Sequence, residues 1–397
     1  MTANSPPTTL SPRFEAARRL SLFTRPGDAM KIVDVTTTTL HYPNVPAVQD
    51  GTLAPPGPGA GGRSHLFAHI KTDEDVEGLG VGQASPGSAQ LIETILKQIL
   101  IGQDPFDIER LWSEMFWKLR TFGNKGIASQ ALSAVDIGLW DLKAKALGLP
   151  LYRLLGAYTD AVPIYGSGGW TNLSEAELVA EMTGYIEQGI RKVKMKVARD
   201  YGRAEAEDIS RVAAVRKAIG DDVALYIDGN YGYYPKQAIY MAREFEQFQV
   251  GWFEEPVLAD DSHGLAEVRR AIDIPVAAGE LESYKYRFRE LIAGGAVDIA
   301  QPDVARVGGV TEWMKVAHLA HSFNLLVAPH AFQLVHLHLA CATPNLKAVE
   351  YLGVDVACDL AWYTDIPPQK EGMWSPFPDK PGLGLELDPH AVEQWSI

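Results

Sequence analysis

Between Arg191 and Val197 the sequence reads RKVKMKV, cationic and apolar residues alternating with a period of two. On a strand that period sends Lys192, Lys194 and Lys196 to one face and Val193, Met195 and Val197 to the other. Such a strand is either an edge whose lysines meet water or one that aims ammonium groups at a site. The polar residues that end the neighbouring apolar runs favour the second reading. Asp228 ends DVALYID, Glu254 ends VGWFE 26 positions later, and Glu280 ends IPVAAGE a further 26 positions on. Further along, Asp303 ends VDIAQPD, His330 ends NLLVAPH, and Glu350 lies in LKAVEYL, while Tyr165 or Ser167 closes the first run of the series.

Three carboxylates at the tips of successive parallel strands, which lie about 5 Å apart, would raise one another's pKa. A hard divalent cation removes that conflict. Three oxygen ligands that leave room for water and substrate suit Mg2+ better than Zn2+, which prefers His and Cys. Asp303 beside His330 would fix the imidazole's tautomer and raise its pKa, as a general acid or base requires. His336 and His338 fall within the following helical pattern and are read as structural.

These residues need elements to hold them. From Val162 onward short apolar runs alternate with amphipathic helical segments: VPIYGSG, RKVKMKV, DVALYIDGN, VGWFEEP, IPVAAGE, VDIAQPD, NLLVAPH and LKAVEYL. Such alternation predicts a (β/α)8 barrel of the TIM type, whose functional residues sit at the C-terminal ends of its strands. Ahead of it, Lys31 to Gly82 reads as three strands and Ser88 to Leu155 as helices, together an α+β domain. The predicted divisions are a tail over 1–29, an α+β capping domain over 30–155, a barrel over 156–375 and a closing segment over 376–397. The tail has four arginines and no apolar core, so it is not a secretory signal, and the ordered chain is expected to begin at Met30. Between the first two strands, VPAVQDGTLAPPGPGAGGR is too long for a tight turn and reads as a disordered insertion or a lid. Gly78, Gly80 and Gly82 superficially resemble a phosphate loop, but no Lys-Ser/Thr follows them.

Composition narrows the class. A formal charge of −14 argues against nucleic acid or an anionic membrane surface as partner. Two cysteines, Cys341 and Cys358, are too few for a disulfide framework and fit a reducing, cytoplasmic setting.

In order and spacing, Lys194-Met195-Lys196, Asp228-Gly229-Asn230, Glu254-Glu255-Pro256, Gly279-Glu280, Pro302-Asp303 with Val307-Gly308-Gly309-Val310-Thr311-Glu312, Pro329-His330, and Glu350 resemble the mandelate racemase subgroup of the enolase superfamily. The resemblance runs from about Met30 to the C-terminus. It implies a modified barrel with an α+β cap to which the last residues return. It also implies that Asp228, Glu254 and Glu280 bind Mg2+, with Glu255 behind Glu254. Lys196 would be the base on one face of the substrate, and His330 with Asp303 the acid or base on the other. Lys194 would neutralise the substrate carboxylate or lower the pKa of Lys196, and Glu350, protonated, would donate to an enolate oxygen. Relatives form dimers or octamers, so a homo-oligomer is expected.

The implied chemistry starts from removal of a proton α to a carboxylate. Loss of a β-hydroxyl then makes an acid-sugar dehydratase acting on aldonic or aldaric acids, as talarate and galactarate dehydratases do. Return of a proton on the opposite face makes a racemase or epimerase, and loss of a carboxylate makes a cycloisomerase of a lactone. A non-catalytic binding role is the alternative from another class, disfavoured by the completeness of the site. Candidates for holding a hydrophilic substrate are His41, Arg63, Lys125, Tyr165, Asn230 and Trp362, with Arg63 as a clamp on a distal carboxylate.

Overall fold

In a computed structural model of the chain, residues 30–397 are described apart from 54, 56, 58–60 and 124; the expected tail over 1–29 lies outside the described residues. Three antiparallel strands come first: β1 (Ile32–Tyr42), β2 (Arg63–Thr72) and β3 (Glu77–Gln83), paired in that order. Helices α1 (Ile108–Leu119) and α2 (Ile127–Leu147) follow. The sheet and these helices share a core of Met30, Ile32, Leu66, Ile70, Leu111, Leu132 and Leu139, among others.

The glycines of β3 have a packing role. A Cβ on Gly80 would lie 1.8 Å from the Ala134 carbonyl oxygen, and one on Gly78 would lie 2.1 Å from that of Gly138. α2 therefore rests on bare strand backbone. Nothing in this arrangement resembles a phosphate cradle.

Eight parallel strands make the second body: β4 (Val162–Ser167), β5 (Lys192–Lys196), β6 (Ala224–Asp228), β7 (Val250–Glu254), β8 (Val276–Ala278), β9 (Ile299–Ala300), β10 (Leu326–Val327) and β11 (Val349–Leu352). They pair in the order β10-β9-β8-β7-β6-β5-β4-β11. A bridge from Val327 to Leu346 and a 2.8 Å bond from the Lys347 N–H to the Val327 carbonyl tie the two ends together. Between the strands run α3 (Glu175–Glu187), α4 (Glu205–Ile219), α5 (Pro235–Glu246), α6 (Ser262–Ala271), α7 (Tyr284–Ala293), α8 (Gly309–Ser322) and α9 (Gln333–Cys341), and α10 (Gly353–Trp362) follows β11. This is a TIM-type α/β barrel with an antiparallel N-terminal sheet set against it.

Strand periodicity explains how one barrel interior is dry below and charged above. Tyr226, Trp252, Ala328 and Ala348 each stand two residues before Asp228, Glu254, His330 and Glu350, so each pair shares an inward face. With Tyr165, Ala277 and Ile299 they form a buried floor, where Tyr226 and Trp252 stack with ring centroids 3.6 Å apart. The polar residues sit on this floor.

Helix α2 fixes the cap on the barrel. The Asp136 carboxylate accepts from the Thr311 N–H at 2.9 Å and its hydroxyl at 2.6 Å, at the start of α8. Asp141 accepts from the Leu79 N–H at 2.8 Å and the Leu383 N–H at 2.7 Å.

Two predictions follow from this packing. Gly80→Ala drives a methyl into helix backbone and should cost about 3 kcal/mol, read as a lowered urea midpoint; an unchanged midpoint would contradict the contact. Burial pushes the Asp136 carboxyl up to about 7, although Thr311 bonds to it. Protonation therefore favours the fold, and the stability it confers is full below about pH 4 and is lost as pH rises towards 7. Relative to Asp136→Asn, the wild type should lose on the order of 1 kcal/mol per pH unit across that window and then level off. Parallel urea titrations of the two proteins check the slope.

Candidate active site

The backbone turns sharply just beyond the residues that carry chemistry. Ala198, Asn230, Glu255, Ala331 and Phe332 all have positive φ, between 38° and 60°. Non-glycine residues hold such angles only where their surroundings impose them, at roughly 1–3 kcal/mol each. Each follows a strand-end lysine, acid or histidine by one or two positions, so the loops leave at once and the side chains stay at the barrel mouth.

Asp228, Glu254 and Glu280 converge there, with one carboxylate oxygen from each within 4.8 Å of the others, all buried. Lys194 is wholly buried beneath them. Its Nζ lies 2.6 Å from Glu254 Oε1, 2.9 Å from Glu350 Oε1 and 3.8 Å from Asp228 Oδ2. Lys196 pairs closely with Asp228 Oδ2 and lies 5.4 Å from the ring centroid of Trp170. The second oxygen of Glu254 accepts from Trp252 Nε1 at 3.1 Å and Gln301 Nε2 at 2.7 Å.

Opposite the lysines, His330 Nδ1 lies 2.9 Å from Asp303 Oδ2, and its Nε2 lies 3.4 Å from Glu280 Oε2. Arg306 reaches Asp303 Oδ2 and Glu280 Oε1, each at 3.3 Å. His336 bridges the Ala331 carbonyl at 2.7 Å and the Val304 N–H at 3.1 Å, holding the loops that carry His330 and Asp303 together. Burial pushes it down to about 4, so it is a neutral strut.

Charge in this cluster is short on the positive side. Burial, only partly offset by Lys194, pushes Glu254 up to about 7, and Asp228 adds to the rise. Burial and Glu280 push the neighbouring Glu255 well above the carboxylate range. One Glu280 oxygen and the Asn230 side-chain oxygen are buried without a hydrogen-bond partner among the described residues. An oxygen-only donor set with surplus negative charge and unused lone pairs fits a hard divalent cation such as Mg2+.

The acid–base groups respond to the same field. Burial opposes the imidazolium of His330, but Glu280 and the bond to Asp303 outweigh it and hold the group above its ordinary value. Burial and Lys194 pull the Lys196 ammonium down, yet Asp228 keeps it above the usual lysine range. Despite the burial of Glu350, Lys194 and the Ala331 N–H, 2.7 Å away, hold its carboxyl well below the usual carboxylate range.

Above the triad opens a cavity of about 370 Å3, roofed by residues 48–53. Thr171 ties that roof to the barrel, its N–H donating to the Gln49 carbonyl at 2.8 Å and its hydroxyl to the Asp50 carbonyl at 2.9 Å. The Tyr201 N–H donates to the Gly51 carbonyl at 2.9 Å. At Gly51 itself a Cβ would meet the Ala198 carbonyl at 2.4 Å, so only glycine lets the roof come down this far.

Among the substrate-holding candidates, Asn230 and Arg63 line the cavity. The others do not. Tyr165 lies in the floor with Lys194 5.4 Å from its ring centroid. His41 stands behind Ser64, 2.9 Å from its hydroxyl, and Trp362 packs against His65 and Phe67. Lys125 pairs with Asp260 at 3.0 Å and Glu282 at 3.8 Å, away from the cavity. The sequence reading missed Trp170, His65, Arg306 and Asp355, all on the cavity wall. Only Arg306 left a local signal, three residues beyond Asp303.

The fold and the site together define a class. Residues 60–156 match the mandelate racemase / muconate lactonizing enzyme N-terminal domain and residues 177–391 match the enolase C-terminal domain-like family, and the chain belongs to this family. Among particular relatives, it is 39% identical to the L-talarate/galactarate dehydratase of Salmonella typhimurium over 83% of this chain and 82% of that protein. It is 33% identical to the 3,6-anhydro-alpha-L-galactonate cycloisomerase of Streptomyces coelicolor over 81% of this chain and 89% of that one. The crystal structure of the Salmonella dehydratase liganded with Mg and L-lyxarohydroxamate superposes with a TM-score of 0.85 at 32% identity, covering 100% of this chain and 98% of that one.

Glu280→Gln removes one charge from the triad and should weaken Mg2+ binding about 100-fold with the circular dichroism spectrum unchanged. Calorimetry checks this, and undiminished affinity would remove Glu280 from the ligand set.

Proposed function

We propose that the protein dehydrates a polyhydroxylated carboxylic acid to a 2-keto-3-deoxy acid, with Mg2+ held by Asp228, Glu254 and Glu280. The observation that carries this reading is the placement of Lys196 and the His330–Asp303 pair on opposite sides of the triad, under one roofed cavity. The similarity to the Salmonella dehydratase supports it. When bound, the ion supplies positive charge against which the substrate carboxylate can accumulate negative charge.

The chain's own residues do the rest. Were Asp228 to hold the ion, its pull on the Lys196 ammonium would weaken, and burial and Lys194, which already oppose that charge, would lower its proton affinity towards that of a base. Lys196 takes the proton from the carbon α to the carboxylate. The C–H electrons pass first into the substrate carboxylate, giving an enediolate; when they return to form the carbon–carbon double bond, the bond from the β-carbon to its hydroxyl breaks, and that hydroxyl leaves as water with a proton from His330. The resulting enol takes a proton at the former β-carbon and becomes the keto acid.

Asp303 and Arg306 keep the His330 ring oriented, and Lys194 balances Glu350 and Glu254. A cycloisomerase is the second reading, supported by the Streptomyces relative; in it the group that leaves the β-carbon is a ring oxygen or carboxylate. We also read the chain as two domains divided near residue 155, supported by its two separate sheets, one antiparallel and one parallel. Exposed Trp117, Phe122 and Tyr234 support assembly of several copies. Among the described residues no helix is long and apolar enough to cross a membrane.

A screen of aldonic, aldaric and uronic acids with Mg2+, read by semicarbazide trapping of 2-keto acids, tests the reaction. Lys196→Ala and His330→Asn should each lower turnover by about 1,000-fold. Only the His330→Asn protein should still exchange the α-proton with solvent deuterium. Near-normal dehydration by both variants would end the two-sided mechanism.

A further inference from the structure

Asp355, on α10, shares the cavity wall with Arg63 of β2. The two face one another, Arg63 Nε to Asp355 Oδ1, at 3.5 Å, beyond ordinary hydrogen-bond length. The other carboxylates around the cavity all have donors. Asp50 accepts from the Thr52 and Leu53 N–H groups, Asp228 from the Asn230 N–H, Asp303 from the Ala305 N–H, and Glu280 from Arg306. Among the described residues Asp355 accepts no hydrogen bond, although only 9% of its side chain is exposed. A desolvated carboxylate with open lone pairs needs O–H or N–H donors, and here they must come from whatever fills the cavity.

We infer that Asp355 is a specificity-determining residue that accepts hydrogen bonds from hydroxyls at the end of the substrate away from its reacting carboxylate. This rests on the acid-sugar reading of the cavity. A chain ending in an alcohol brings protons to Asp355, and one ending in a second carboxylate brings none and adds like charge beside it. Arg63 does not offset that charge freely, because its own counter-charge is already Asp355. The clamp on a distal carboxylate expected from the sequence is therefore half neutralised. His65 adds to the same wall as a neutral ring, pushed down to about 3 by burial and stacked on Phe332 at 4.8 Å. The substrate class is a polyhydroxy monocarboxylic acid with a terminal alcohol, in preference to the dicarboxylic acid of the same configuration.

The test compares matched aldonic and aldaric acids on the full-length protein with Mg2+. Wild-type kcat/KM should favour the aldonic member by about tenfold or more. Asp355→Asn should shift that ratio about tenfold towards the diacid, and Asp355→Glu, which keeps the acceptor, should restore the monoacid preference. A wild-type preference for diacids, or an unchanged ratio in a folded Asp355→Asn protein, overturns the inference. Should the Asn variant fail to fold, the wild-type ratio and Asp355→Ser decide. If neither acid is turned over, calorimetry on the same Mg2+-loaded proteins separates the two claims. Selective binding of the monoacid that Asp355→Asn abolishes upholds the subsite while the dehydratase reading falls, and equal binding of both acids overturns the subsite.

Discussion

Lys194 carries a full positive charge sealed within the barrel beneath the acids, and the site is arranged around it. Its ammonium touches Glu254 and Glu350 and approaches Asp228, so the strands bearing these three acids are all referenced to one point. A lysine this deep would not keep its proton without such partners. Those acids, equally, would not stay ionised on an aromatic floor without the lysine. Each group is tolerated because the others are present.

The neighbouring Arg306 plays a comparable part on the far side. By reaching both Asp303 and Glu280 it joins the carboxylate that supports the imidazole to the acidic triad. The two halves of the reaction thus share a scaffold of fixed charges that need not rearrange as negative charge moves through the substrate. Preorganisation of that kind is where enzymes of this chemistry find most of their rate.

The sequence made much of this legible, because strand-end residues are recorded at regular intervals. The spacing of 26 between Asp228, Glu254 and Glu280 reports the length of a βα unit, and the alternation in RKVKMKV reports which lysines face inward. Trp170, His65 and Asp355 left no such trace. They reach the cavity from a loop, a cap strand and an outer helix, and only the tertiary packing sets those distances. Lys125 and His41 show the converse error, since a cation or imidazole in a polar stretch says nothing of the direction in which it will point. The downward pull on the Glu350 carboxyl left no trace for a related reason: it depends on Lys194, 156 positions away, being 2.9 Å distant.

The roof over the cavity is joined to the barrel through its own backbone at Ala47, Gln49, Asp50 and Gly51, which the side chains of Thr171 and Asn172 and the Tyr201 N–H engage from the barrel. Such an attachment asks for particular side chains on the barrel but, beyond the glycine, for few on the roof. Val48 and Leu53, which line the cavity from this segment, can be exchanged by mutation without unfastening it. Evolution can therefore retool what the enzyme recognises while the proton-handling groups below stay as they are, which gives one barrel access to a range of sugar acids through changes in a few roof and wall residues.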